Sequence, residues 1–389
     1  MENFVFGYCT KILFGRGMED KVGAETKRHG KKVLLVYGGG SIKKSGLFDK
    51  VVKSLTNAGV EFVEFGGAQP NPRLSLVREG IKSGRGQKID FILAVGGGSA
   101  IDTAKAIALG IPYEGDVWDF FAGKQKPQSA IKVGVILTIP AAGSESSMFS
   151  VITNETELLK CGYGNDLIRP VFAIMNPELT YTLPPYQTAC GCVDIMMHTL
   201  ERYFTNVTDV ELTDRLCEGL LKTMVDKSGR VFENPDDYRL RAEIMWAGSI
   251  SHNNLMETGR IGDFSSHDIE HEMGAIYDIA HGAGLAIVFP AWCKYVFRHN
   301  LKRFVQFAVR VMNVEQDFEN PERTALEGID RIEKLFVKMG MPVRLSQVNI
   351  GDDRWDEMAS KCTKGDTKKT GNFLPLAKRD ILNIFELCR

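Results

Sequence analysis

Hydrophobic and polar positions change their period along the chain, and the change divides it in two. Between Lys31 and Ile139, short apolar runs alternate with stretches of helical period. The run Lys31–Tyr37 breaks into Gly38-Gly39-Gly40-Ser41, the pattern of a strand buried on both faces that ends in a glycine turn. A helix is predicted over Leu47–Ala58, a strand over Val60–Phe65, and a helix over Leu74–Ser83. A strand over Asp90–Val95 ends in a second turn, Gly96-Gly97-Gly98-Ser99. A helix over Ile101–Leu109 and a strand over Val133–Ile139 complete the series. Strands and helices alternating at these lengths predict a doubly wound parallel sheet, a Rossmann-like α/β domain. Ligands of such sheets bind at the carboxyl ends of the strands, where both glycine turns fall.

After Leu183 the strand-like runs nearly vanish. Helical periods dominate residues 185–204, 209–229, 236–257, 266–276, 284–298, 301–312 and 322–339, opened by the helix-start signal Pro184-Pro185. The expected organisation is an α/β domain over residues 1–182 and an all-α domain over residues 183–389, with an active site in the cleft between them. No internal repeat or low-complexity tract interrupts either half.

Composition narrows the function. A chain of 389 residues has room for two cores, and 44% hydrophobic with 25% charged residues is ordinary for a globular protein. A net charge of −1 offers nothing to nucleic acid or an anionic membrane. The eight cysteines contain no Cys-x-x-Cys pair and read as reduced, mostly buried thiols. The N-terminus lacks the pattern of a signal peptide, and the most apolar run, 133–142, is too short to span a bilayer. A soluble, cytoplasmic protein is expected.

Three of the seven histidines, His267, His271 and His281, fall within fifteen residues. Imidazole is the commonest transition-metal ligand, and a spacing of four places His267 and His271 on one helical face. Asp194 and His198 repeat that spacing on another predicted helix. Asp194, His198 and His281 with one further histidine make an N3O set suited to Fe(II) or Zn(II), with room left for a substrate oxygen. Spacing alone leaves His267 and His271 both eligible. The turn Gly96-Gly97-Gly98-Ser99 with Asp102 follows a strand and opens a helix, so its bare backbone could approach a phosphate; Ser99 and Asp102 also fit a capping box. The first turn, Gly38-Gly39-Gly40-Ser41, is followed by Lys43 and Lys44 and has no acid beside it. Cations near a helix start are unfavourable unless an anion lies close, and the 2′-phosphate of NADP(H) would be such an anion. NADP(H) is therefore expected over NAD(H).

These motifs together resemble the iron-containing (group III) alcohol dehydrogenases, most of all their NADPH-dependent butanol dehydrogenase and aldehyde reductase branch, from about residue 3 to residue 300. The resemblance implies that Asp194, His198, His267 and His281 hold one divalent metal, Fe(II) or Zn(II), and that His271 lies beside the nicotinamide and relays a proton. It implies that Gly96, Gly97, Gly98, Ser99 and Asp102 form the pyrophosphate turn. Gly38, Gly39, Gly40 and Ser41, with Asn71 and Leu179, would flank the adenosine. Thr138, Ser144 and Ser147 would wrap the pyrophosphate and nicotinamide ribose, with Lys160 near a ribose. Ala142 replaces a family threonine, and Ser147-Met148 replaces Asn-Gly or Asn-Ala, which puts those cofactor contacts in question. The implied activity is reversible reduction of a small aldehyde to a primary alcohol by a homodimer, with Phe4–Phe6 or Lys11–Phe14 available for edge pairing. An NAD-dependent polyol dehydrogenase and a dehydroquinate synthase-like cyclase share this architecture. The first would want an acid near Ser41; the second would want Arg and Lys, which are absent from residues 190–200 and 265–285. Among the remaining residues, His252 is expected in the interior and His29 and His299 at the surface. Trp246, Phe264 and Trp292 are expected in the core.

Overall fold

The computed structural model describes residues 1–389. Two compact units emerge: Gly7–Leu183, and Pro184–Arg389 together with Met1–Phe6. The division after Leu183 lies one residue from the sequence expectation, but the first six residues belong with the helical unit.

In the α/β unit, strands β1 (Lys11–Phe14), β2 (Lys32–Tyr37), β3 (Glu61–Phe65), β4 (Phe91–Gly96), β5 (Lys132–Leu137) and β8 (Phe172–Met175) form one sheet in the order β1-β8-β5-β4-β2-β3. Every pairing within it is parallel. Strands β6 (Phe149–Asn154) and β7 (Leu159–Gly164) make a separate antiparallel hairpin. Helices α1 (Val22–Lys27), α2 (Ser41–Lys44), α3 (Leu47–Asn57), α4 (Leu74–Gly86), α5 (Gly98–Gly110) and α6 (Trp118–Phe121) complete the unit. Val33, Leu35 and Tyr37 share a core with Val51 and Leu55 of α3, while Leu34 and Val36, pointing the other way, are equally buried. Burial of both faces is why these strands read as continuous apolar runs rather than alternating ones. The doubly wound expectation holds. Periodicity did not reveal β6, β7 or β8: the hairpin is mixed in polarity, and β8 has only four residues.

The chain runs outward from β2 to the edge strand β3, then returns to place β4 on the other side of β2. That reversal is a topological switch point, and the loops after β2 and β4 splay apart there. Those loops are Gly38–Gly40 and Gly97, the two glycine turns.

The second unit is helical, as expected: α7 (Pro185–Tyr203), α8 (Glu211–Arg230), α9 (Tyr238–Ser251), α10 (Ser265–Tyr277), α11 (His281–Val296), α12 (Leu301–Arg310), α13 (Pro321–Lys338), α14 (Trp355–Cys362) and α15 (Lys378–Leu387). Phe204, Phe289, Trp292, Phe304 and Phe307 gather in its core, and Phe204 lies 4.5 Å from Phe304 between ring centroids. Each such ring contributes about 1.5–3 kcal/mol by leaving water. No helix is long and apolar enough to cross a membrane. Phe4–Phe6 is not a strand, whereas Lys11–Phe14 is, paired to β8. Trp246 is 43% exposed, contrary to the core expectation, while Trp292 is buried.

Candidate metal centre and cofactor cradle

Helix α7 carries Asp194 and His198 on one buried face, as the spacing of four requires. His267 sits in the first turn of α10, His271 one turn on, and His281 is the first residue of α11. One metal-ligating atom each from Asp194, His267 and His281 lies within 4.8 Å of the other two. Asp194 Oδ1 stands 3.9 Å from His267 Nε2 and 3.7 Å from His281 Nε2. His198 adjoins this trio, with its ring 4.8 Å from that of His267 and its Nδ1 3.2 Å from Asp194 Oδ1. His271 falls in a different grouping, with Glu270 and His281, and is half-buried at the margin. Packing sets the two apart: His267 faces Asp194, and His271 does not share that grouping.

Carboxylates behind the ring fix each imidazole. His267 Nδ1 lies 2.6 Å from Glu201 Oε2, and His281 Nδ1 is hydrogen-bonded to Glu270. A carboxylate at Nδ1 holds the proton there and leaves Nε2 as a lone pair aimed at the cluster. Glu201 is itself held by the backbone N–H groups of Ser266 and His267, so it also caps the start of α10. Sequence reading missed both glutamates. Their signal was faint: Glu201 and Glu270 each lie three residues beyond a proposed ligand on the same helix.

Asp194 Oδ1, His198 Nδ1 and His267 Nε2 are buried and make no hydrogen bond. Orphaned buried donor and acceptor atoms cost about 1–3 kcal/mol each. Here they belong to three different residues around one point, with the O and N donor types that suit Fe(II) or Zn(II). The residues present therefore fit a divalent metal. The electrostatics favour positive charge at this point: burial disfavours charge on His267, but Glu201 and Asp194 outweigh it and push the imidazole up to about 10, so a proton and a metal ion compete for the inward Nε2. Burial opposes charge on Asp194 too, yet His281 and His267 hold its carboxyl below the usual range. Burial, then His267 and Arg202, hold His198 well below the ordinary imidazole value, so it is a neutral donor. His252, expected in the interior, is buried with its ring 4.1 Å from that of His198 and its Nδ1 3.2 Å from Arg202.

The cradle in the α/β unit is built from close approach. A Cβ on Gly97 would come within 2.9 Å of Ile139, and one on Gly98 within 3.2 Å of Ala142. The turn after β5 therefore lies directly on the turn after β4, with the methyl of Ala142 at the contact. Helix α5 begins at Gly98 with no side-chain cap. The capping-box reading of Ser99 and Asp102 does not hold, because the helix starts before Ser99 and the aspartate is engaged elsewhere. Asp102 accepts hydrogen bonds from Ser144 Oγ at 2.6 Å and from the Val151 N–H at 2.9 Å. Uncapped amides at the start of a helix of this length suit a phosphate.

Beneath them lies Lys105, wholly buried. Its ammonium donates to the Ser144 carbonyl at 2.6 Å, the Ser147 carbonyl at 2.9 Å and the Phe149 carbonyl at 2.8 Å, and also to Ser144 Oγ. Burial lowers its pKa to about 8 against the opposing pull of Asp102 and Glu145. Asp102, Ser144, Ser147 and Lys105 thus form one buried network that shapes the 143–149 turn. Lys105 escaped sequence reading, although a single lysine in the otherwise apolar run Ala104–Leu109 was a usable signal. Thr138 extends β5, its N–H bonded to the Gly96 carbonyl at 3.0 Å. Asn71 and Lys160 are buried in the same unit, and Leu179 packs against its core.

At the first turn, Gly40 adopts a φ of +97°, where a side chain would be strained, and α2 follows with Lys43 in it. Lys43 forms an ion pair with Glu64 of β3, which also accepts from the Tyr37 hydroxyl. The acid judged missing from this neighbourhood is present, supplied by the next strand.

A switch-point cradle of glycine turns and a buried Asp-His cluster backed by carboxylates suit an oxidoreductase that takes a nucleotide cofactor and a divalent metal. The family model "Iron-containing alcohol dehydrogenase" matches residues 9–177, and "Fe-containing alcohol dehydrogenase family, C-terminal" matches residues 188–388. The chain is 43% identical to the probable NADH-dependent butanol dehydrogenase 1 of Bacillus subtilis over 386 residues, 99% of each chain. It is 36% identical to the NADPH-dependent aldehyde reductase YqhD of Escherichia coli over 353 residues, 90% of each. The crystal structure of NADH-dependent butanol dehydrogenase A from Thermotoga maritima superposes with a TM-score of 0.96 at 41% identity, covering 100% of this chain and 99% of that one. The chain belongs to the iron-containing alcohol dehydrogenase family and is an oxidoreductase of the alcohol dehydrogenase and aldehyde reductase type.

Proposed function

We propose that the protein reduces a small aldehyde to its primary alcohol, reversibly, with a nicotinamide cofactor and one divalent metal. The observation that carries the metal is the convergence of Asp194, His267 and His281, with unpartnered atoms on Asp194, His198 and His267. Asp194, His198, His267 and His281 would hold it. When bound, the metal supplies a Lewis acid for the substrate oxygen and the nicotinamide supplies the hydride. Glu201 and Glu270 keep the His267 and His281 rings oriented with Nε2 inward. His271, half-buried beside this set, is placed to relay the alcohol proton toward solvent. The loops after β2 and β4 bind the cofactor, with Lys105 holding the 143–149 turn in shape from below.

The expectation of NADP(H) rested on Lys43 and Lys44 lacking an anion. Glu64 answers Lys43, which weakens that ground while leaving Lys44 unmatched by it. Relatives named as NADH-dependent, at 43% and 41% identity, support NAD(H) in its place. Butanal is the first substrate to try, because two relatives are named butanol dehydrogenases.

The test follows oxidation of reduced cofactor with butanal in three samples: protein as purified, protein stripped by chelation, and stripped protein resupplied with Zn(II) or Fe(II). Loss on stripping with recovery on resupply is expected. Full activity of stripped protein would refute the metal assignment.

A further inference from the structure

The three proposed histidine ligands are not held alike. His267 has Glu201 behind its ring, and His281 has Glu270. His198 has no carboxylate in that role: its Nδ1 is buried without a hydrogen bond, and its ring packs on the ring of His252, 4.1 Å away between centroids. His252 is buried at the end of α9. Both histidines are tied to Arg202, which lies one turn beyond His198 on α7 and is fully buried. Its Nη1 donates to the His198 carbonyl at 2.6 Å, its Nη2 meets His252 Nδ1 at 3.2 Å, and its Nε donates to Glu257 at 3.1 Å. The guanidinium also lies 4.7 Å over the ring of Phe264, which stands 5.6 Å from the His267 ring. Phe264 holds a φ of +65°, strained for a bulky side chain, and Gly262 leaves room for its ring: a Cβ there would lie 3.1 Å from it. With all three nitrogens engaged and one face stacked, the guanidinium is fixed in place.

From this geometry we propose that Arg202 and His252 form the brace of the third histidine: Arg202 is a positioning residue that sets the orientation of His198 through His252. The proposal rests on the reading of Asp194, His198, His267 and His281 as one metal centre. A guanidinium can only donate, so His252 Nδ1 must accept, and the neutral ring is held in the tautomer with its hydrogen on Nε2. That bond fixes the plane of the His252 ring. The His198 ring packed on it is then limited in how far it can rotate about its own bonds. The chemistry differs from that of the other two ligands. A carboxylate behind an imidazole makes it a stronger donor, as Glu201 and Glu270 do for His267 and His281. A buried cation gives no such help, so His198 is the weaker donor of the three. Its place at a metal depends on being held in the right orientation, which is what the brace supplies.

The test is metal binding by the full-length protein, read by Zn(II) competition with a chromophoric chelator and by the visible absorption of the Co(II)-substituted protein, which reports ligand number and geometry. Arg202→Met keeps the stem and removes every donor. It should raise the metal dissociation constant about tenfold or more and change the Co(II) bands. His252→Phe keeps a ring against His198 but offers Arg202 no acceptor, so it should change the bands as well. His252→Gln, whose side-chain carbonyl can accept from Arg202, should fall between His252→Phe and wild type in both readings. The melting temperature of each metal-free variant is taken alongside, because a purely structural role lowers it while leaving affinity and bands of the folded protein untouched. Should Arg202→Met fail to fold, the two His252 variants carry the test. Wild-type affinity and bands in the variants would overturn the assignment, and so would an effect confined to Arg202→Met, since the brace acts through His252. Failure of wild type to bind any divalent metal would overturn the reading of the centre and this assignment with it.

Discussion

At the scale of single residues, the centre is governed by groups that touch no substrate. Glu270 is fully buried and hydrogen-bonded to the His281 ring. Its replacement by glutamine keeps the volume but weakens the acceptor that fixes the ring tautomer. Losing such a partner typically costs about 10–100-fold in metal affinity or activity. Glu270→Gln is accordingly expected to raise the metal dissociation constant about tenfold or more, read by competition with a chromophoric chelator. Unchanged metal affinity would mean that His281 is not a ligand. Lys105 shows the same logic on the cofactor side. No recognised motif marks it, and its burial and its several acceptors are what reveal that it supports the loop.

At the scale of elements, the centre depends on how closely α11 approaches its neighbours. A Cβ on Gly282 would overlap the Cys190 carbonyl of α7, and one on Gly284 would come within 2.6 Å of Glu270 Cγ on α10. These two glycines let the first turn of α11 settle between the helices that carry the other proposed ligands. Because the obstacle at Gly282 is backbone, it cannot rotate aside, and Gly282→Ala must displace α11 from α7. His281, one residue away, would move with it. Overpacking of this kind costs about 1–3 kcal/mol. The expected result is a lower denaturation midpoint and a metal content well below stoichiometric after purification, measured by elemental analysis. Full metal loading in Gly282→Ala would contradict the packing account. The exemption of His271 is also an element-scale outcome: α10 presents His267 and His271 on one face, yet only the first turn of that helix reaches Asp194.

At the scale of the whole molecule, the two sites are segregated. All four proposed ligands lie in the helical unit, and the glycine turns lie in the α/β unit. A ligand stabilises whatever it binds in proportion to its saturation, by about 2.7 kcal/mol at a hundredfold excess over its dissociation constant. Adding Zn(II) to stripped protein should therefore slow amide hydrogen exchange chiefly in α7, α10 and α11. NADH should slow it chiefly around residues 38–41, 96–102 and 138–147. Metal-dependent protection confined to the sheet would be incompatible with the ligand assignment.

Much of this was legible in the chain itself. The alternation of apolar runs with helical periods determined the doubly wound sheet and the helical second half, because burial on two faces or on one stripe imposes a period that no distant contact need supply. The spacing of four determined that Asp194 shares a face with His198, and His267 with His271. The glycine turns announced themselves by composition. Tertiary structure alone decided the rest. It set His267 rather than His271 against Asp194, brought the first residue of α11 there as well, and placed Glu201 and Glu270 behind the rings. It buried Lys105 beneath the turn and delivered Glu64 to Lys43 from a strand one helix further on. Each of those outcomes is a contact between elements, and the sequence encodes such contacts only through the packing of the whole unit, whereas a period is written within a few residues.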